Sequence, residues 1–199
     1  MIKRIFAAIS RRLIRRQSHL LYRSQINGVI KLPSTGDFEF KTITAQTISG
    51  QHVLTNMLVD LNPDNGPYIS DIEKDRIAGL MILEGGQTVH YGFVFKSNKT
   101  AALLGLPPST ALIGNSFTMP SHRGNGLQAR SVHARAEIAR SNGFAEIAAE
   151  TDPENYSSQR GLLKSGLKLQ GPVELVVVLN CFVIRWRRPK GIALLGFCL

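Results

Sequence analysis

Nine consecutive residues, Pro120-Ser121-His122-Arg123-Gly124-Asn125-Gly126-Leu127-Gln128, carry the most legible chemistry in this chain. An apolar run over 111–119 enters them, and a helix-forming segment over 127–141 leaves them. Two glycines and an arginine in such a turn expose backbone N–H groups at a helix N-terminus, where the helix dipole adds partial positive charge. Glycine matters here because a Cβ would hold a bound phosphate away from the backbone. The turn reads as an anion site, and a diphosphate suits it best.

Two ligand classes use turns of this kind. Gly124-Asn125-Gly126-Leu127-Gln128-Ala129 matches the dinucleotide pattern G-x-G-x-x-G/A, with Glu146 or Glu150 following at about the spacing of a ribose ligand. The context disfavours a nicotinamide or flavin nucleotide. Pro120, Ser121, His122 and Arg123 separate the strand from the first glycine, and too little chain follows to complete a doubly wound sheet.

The second class is acyl-CoA. Met119 to Leu127 resembles the acyl-CoA-binding motif P-x-x-R-G-x-G of the GCN5-related N-acetyltransferases, which joins that family's fourth strand to its third helix. In matching order, Asn155-Tyr156-Ser157-Ser158-Gln159-Arg160-Gly161-Leu162-Leu163-Lys164-Ser165-Gly166-Leu167 resembles the family's later motif N-x-x-S-x-R-x-Y-x-K-x-G-F. The resemblance covers residues 111–169. It implies an α/β fold with a mixed central sheet flanked by helices. It also implies an acyl-CoA-dependent N-acyltransferase that moves acetyl from acetyl-CoA, or another acyl group, to the amine of a small acceptor. The cofactor-binding residues it implies are Phe117, Thr118, Met119, Arg123, Gly124, Asn125, Gly126, Leu127, Asn155 and Ser158. The surroundings of both motifs look most like members associated with bacterial surface-polysaccharide pathways, which points to an amino-sugar acceptor.

Three positions depart from the pattern. Ser121 stands where Gln or Arg is frequent, Leu162 where the family often places a general-acid tyrosine, and Leu167 where the closing Phe falls. Protonation of the leaving thiolate is thereby left open, and a non-catalytic acyl-CoA-binding domain is the alternative reading. Asn155 equally suits a helix start.

An amine must lose a proton to attack a thioester. The family often draws its base from a glutamate on the fourth strand, but residues 111–119 contain no acid. His90, on the neighbouring strand, is the candidate catalytic base because its unperturbed pKa lies near neutrality. Glu84 and Glu150 rank behind it.

The 199 residues suffice for one ordinary domain. Cys181 and Cys198 make no disulfide framework, and no Cys/His spacing matches a zinc site, so no metal is expected. No stretch reaches the roughly 18 apolar residues of a membrane-spanning helix. The expected location is cytoplasmic, with attachment at the inner membrane face as its extension.

The net charge of +10 sits mostly at the ends, with eight basic residues and no acid in 1–31 and four more basic residues in 185–190. A near-neutral body argues against a nucleic-acid partner for the fold, leaving a basic peripheral adaptor as the remaining alternative. The domain expectation is a basic amphipathic arm over 1–31 and a single acyltransferase domain over 32–199. Ile2, Ile5, Phe6, Ile9 and Leu13 recur at helical spacing, as in a helix that lies on an anionic membrane surface. The same acid-free, Arg-rich composition suits an organellar targeting segment. A homo-oligomer is compatible with all of these readings.

Periodicity and turn residues predict strands over 38–43, 88–96, 111–119, 145–149 and 173–184. Helices are predicted over 52–61, 71–80 and 127–141, and from Asp152-Pro153 to Gly166, with a loop over 62–67.

Overall fold

A long apolar segment broken by one tight turn at Gly85-Gly86, residues 77–95, builds the centre of the molecule. The computed structural model describes residues 14–29, 37–48, 52–96, 99–178, 182–187 and 192–196. Its strands are β1 (Ile14–Gln25), β2 (Phe38–Ile43), β3 (Ile77–Glu84), β4 (Gln87–Phe95), β5 (Thr110–Thr118), β6 (Glu146–Thr151), β7 (Lys168–Val178), β8 (Phe182–Arg187) and β9 (Ile192–Gly196). Its helices are α1 (Ala45–Ile48), α2 (His52–Leu61), α3 (Gly66–Glu73), α4 (Lys99–Leu104), α5 (Leu127–Ser141) and α6 (Tyr156–Lys164). Among the described residues the strands form one nine-stranded sheet in the order β2-β3-β4-β5-β6-β1-β7-β8-β9. Neighbours are antiparallel except β5 and β6, which run parallel. The expected mixed sheet flanked by helices is the architecture observed.

Alternation along β3 and β4 feeds two cores, because successive side chains of a strand point to opposite faces. Ile77, Met81, Tyr91, Phe93 and Phe95 pack with Leu58 of α2 and Ile72 of α3. Ala78, Leu80 and Val94 pack instead with Val132, Ala136 and Ala139 of α5. The helix carrying the anion turn is thereby fixed beneath β4 and β5.

Several expectations change. The segment predicted as helix over 71–80 divides into the end of α3 and the start of β3. That strand is buried on both faces, so its apolar run shows no period-two signal. The expected strand over 173–184 is two strands, β7 and β8, which pair as a hairpin. Helix α4 was not predicted. Helix α6 begins at Tyr156 rather than at Pro153; the Asp152 carboxylate accepts from the Glu154 amide at 2.7 Å in a turn ahead of it.

The largest correction concerns the basic arm. Its apolar stripe, Ile2 to Leu13, lies outside the described residues. Residues 14–25, assigned to the same arm, form β1 in the interior of the sheet, hydrogen-bonded to β6 on one side and β7 on the other. Leu21 and Tyr22 are 0% and 2% exposed and contribute to the two cores, so this part of the arm belongs to the folded body.

Candidate functional site

Strands β5 and β6 pair only from Thr110 opposite Glu146 to Ile113 opposite Ala149. Beyond that point they part. The end of β5 stays with β4, where Tyr91 faces Phe117 and His90 faces Thr118. The end of β6 stays with β1, where Leu21 faces Glu150 and Leu20 faces Thr151. A bulge accompanies the divergence. Phe93 opposes Gly114 and Tyr91 opposes Phe117, so Asn115 and Ser116 share the place opposite Gly92, with Asn115 at φ 46°. Bulges of this kind bend a strand and interrupt its pairing. Between the parted ends lies a cleft of about 870 Å³, lined by Gly114 to Thr118, by Ala149 to Asp152 and by residues of the flanking helices.

The turn after β5 has the geometry an anion could use. Gly124 and Gly126 adopt φ of 88° and 71°, and Gly126 caps α5 with no side chain bonded to the helix end. Among the described residues no backbone carbonyl accepts from the amides of residues 124–128. These donors and the dipole of a 15-residue helix converge on one place. Arg123 lines the cleft and donates from Nε to the Thr118 carbonyl at 3.3 Å. Lys164, at the end of α6, brings its Nζ to 4.0 Å from where a Cβ on Gly126 would stand. Unfilled amides beside two cations fit the diphosphate of an acyl-CoA.

Of the residues implied by the resemblance, Phe117, Thr118, Arg123, Asn155 and Ser158 line the cleft, while Gly124, Asn125 and Gly126 form the turn. Met119 and Leu127 do not line it. Leu127 is 1% exposed and packs with Ile82, Val89 and Met119, so these two side chains anchor the turn in an apolar cluster. Asn155 does two things: it lines the cleft, and its Oδ1 accepts from the Ser158 amide at 3.0 Å as the cap of α6. Asn155→Ala is expected to lower stability by about 1 kcal/mol, measured as a shift in urea midpoint at unchanged slope.

The structure places the expected base elsewhere. His90 is 0% exposed and does not line the cleft; its Nδ1 meets the Thr118 hydroxyl at 2.8 Å. Burial, reinforced by the nearby Arg135 cation, lowers its pKa to about 3. An imidazole so hard to protonate and so enclosed is a poor base at neutral pH. Its folded pKa lies below the unfolded value, so between pH 6.5 and about 3 the unfolded chain binds the extra proton. Stability is therefore complete above pH 6.5 and falls by roughly 1.4 kcal/mol per unit as pH drops through that window. Urea unfolding at pH 7 and pH 5 should show about 2 kcal/mol of acid loss that is absent from His90→Gln.

Glu84 is also diverted, since its carboxylate meets His122 Nε2 at 2.8 Å outside the cleft. Glu150 does line the cleft, and it has a partner on β1, within the segment expected to be a basic arm. His19 of β1 lies beside it, with Nδ1 at 2.5 Å from the Glu150 carboxylate. The hydrogen bond to Glu150 raises the His19 pKa; burial opposes this, and the charges of Glu150 and Asp152 add to the rise. Tyr68 of α3 also lines the cleft, its hydroxyl accepting from the Asn115 side chain at the bulge. Burial, with Tyr91, Asp64 and Asp71 adding, raises the Tyr68 phenol above its ordinary value.

No protein-family model matches this chain, and no curated protein matches it in sequence. Solved structures do match. An acetyltransferase of the GNAT family from Colwellia psychrerythraea is similar with a TM-score of 0.57 at 13% identity, covering 80% of this chain and 56% of that one. A GCN5-related N-acetyltransferase from Kribbella flavida gives 0.57 at 12% identity, covering 94% and 64%. The structure of AAC(6')-Iy in complex with the bisubstrate analogue CoA-S-monomethyl-acetylneamine gives 0.50 at 19% identity, covering 67% and 92%. The fold is similar to that of these GNAT acetyltransferase structures, and the chain spans 56% and 64% of the first two proteins, less than two thirds of either.

Proposed function

We propose that this chain is an acyl-CoA-dependent N-acyltransferase that moves an acetyl group to the amine of a small acceptor, with an amino sugar as the acceptor class. The observation that carries the reading is the set of unfilled amides over residues 124–128, next to the end of a strand that borders an open cleft. The turn, with Arg123 and Lys164, would hold the diphosphate. The unpaired edge of β5 over 114–118 would take the amide-bearing arm of the CoA as an added strand, with the bulge amides near the thioester carbonyl.

Within the cleft His19 is the base. Its Nδ1–H donates to Glu150, which fixes the tautomer and leaves Nε2 to take the proton of the attacking amine. Nitrogen then bonds to the acyl carbon, the C–S bond breaks, and the thiolate needs a proton. Tyr68 keeps its proton at neutral pH and is the group we assign to deliver it, where Leu162 leaves the family's usual tyrosine position without a hydroxyl. The test is release of free thiol from acetyl-CoA against a panel of amines that includes amino sugars. Release above the hydrolytic background with an amino sugar supports the reading, whereas CoA binding without turnover on any amine leaves a non-catalytic binding domain.

A further inference from the structure

Among the described residues, one buried cation in the cleft has no counter-charge. Helix α5 presents Leu127, Ser131 and Arg135 four residues apart, one above the other on the face that meets β4 and β5. The last is an arginine only 1% exposed, yet it lines the cleft. Its hydrogen bonds are long and go to neutral carbonyls: Nε to Ser131 at 3.3 Å and Nη1 to Gly114 at 3.4 Å. A guanidinium has five N–H donors, and among the described residues no carboxylate forms an ion pair with this one. Burial lowers its pKa to about 9, which still leaves it charged at neutral pH.

The slot around it is shaped for the guanidinium. A Cβ at Gly92 would stand 2.8 Å from Nη1, 2.9 Å from Cζ and 2.9 Å from the Ser116 hydroxyl. Any side chain at position 92 would push the group out of its place against the bulge. A buried charge is costly unless a partner of opposite sign completes it. Its contacts with the Ser131 and Gly114 carbonyls put the guanidinium against the β5 bulge rather than at the Gly124–Gly126 turn proposed for the phosphates.

We propose that Arg135 is the receptor for a carboxylate brought into the cleft by a substrate, either at the far end of the acyl group or on the acceptor. The inference rests on the acyl-CoA reading above. One guanidinium matches one negative charge, and its planar fork matches the two oxygens of a carboxylate. An acetyl group alone brings it no charge, so the carboxylate comes either from a dicarboxylic acyl donor, which would replace acetyl in the reading above, or from an amine acceptor that carries an acid, such as an α-amino acid or an acidic amino sugar.

The experiment measures binding to the full chain by calorimetry in two comparisons. The first sets succinyl-CoA against acetyl-CoA. The second, with acetyl-CoA saturating, sets an α-amino acid against its amide. The wild type is expected to favour the carboxylated member of one pair by roughly ten- to a hundredfold, and that pair identifies the source. Arg135→Gln should erase the preference while leaving affinity for CoA itself within about threefold. Gly92→Ala, which displaces the guanidinium without removing it, should weaken the same preference. Equal affinities in both pairs, or a preference that survives Arg135→Gln, overturn the assignment. Binding of CoA without any carboxylate preference defeats this inference alone; no binding of CoA at all defeats the acyl-CoA reading with it.

Discussion

Gly126→Asp will abolish the rise in melting temperature that CoA and acetyl-CoA give the wild-type chain. At a hundredfold excess over Kd such a ligand adds about 2.7 kcal/mol of stability, roughly 5–10 °C for a chain of this size. Position 126 is at φ 71°, where a side chain is strained, and the new carboxylate would sit at the converging amides. It would also draw Lys164, whose Nζ is 4.0 Å from the Cβ position, out of the anion site. Gly126→Ala carries the strain without the charge, so it should lower the starting temperature yet retain part of the ligand shift. Equal stabilisation of wild type and Gly126→Asp by CoA would remove the turn from the binding site.

His19→Ala will lower turnover by about a hundred- to a thousandfold while leaving the CoA-induced shift nearly unchanged. The base must be neutral to act, so the wild-type rate should climb as pH rises through the elevated His19 pKa. Glu150 is the main cause of that elevation. Glu150→Gln should therefore move the acid limb of the pH–rate profile to lower pH and weaken the base at the same time. Stability carries the opposite sign. The raised pKa means that the His19–Glu150 interaction adds stability below pH 6.5 and loses it as pH rises through the folded value. A pH–rate profile unchanged by both substitutions would assign the proton transfer elsewhere.

How much of this was legible depended on whether the information was local. The anion turn is a contiguous run of residues whose glycines serve a backbone need, so its place after a strand and before a helix could be read directly. Asn155 and Ser158 followed for the same reason. His19 was hidden because β1 buries only a few side chains and carries arginines among its exposed ones, which imitates a basic arm. Nothing within residues 14–25 reveals that β6 and β7 flank them; that pairing spans more than a hundred residues of chain. His90 was misjudged because its residue type was visible while its burial was not. Arg135 left a weak trace, a charged residue in register with Leu127 and Ser131 on a helix face that otherwise packs against the sheet.

The place of β1 bears on how the protein can be made. Both its neighbours, β6 and β7, are translated long after it, so the segment carrying His19 must wait unpaired while most of the chain emerges. Until it docks, the two strands on either side present raw edges to one another and to any other chain nearby. Closure of that gap, a pairing of the long-range kind that forms slowly in general, is what brings His19 to Glu150. Completion of the sheet and the meeting of His19 with Glu150 thus depend on the same docking, so under the proposed mechanism an incompletely folded chain would lack its base.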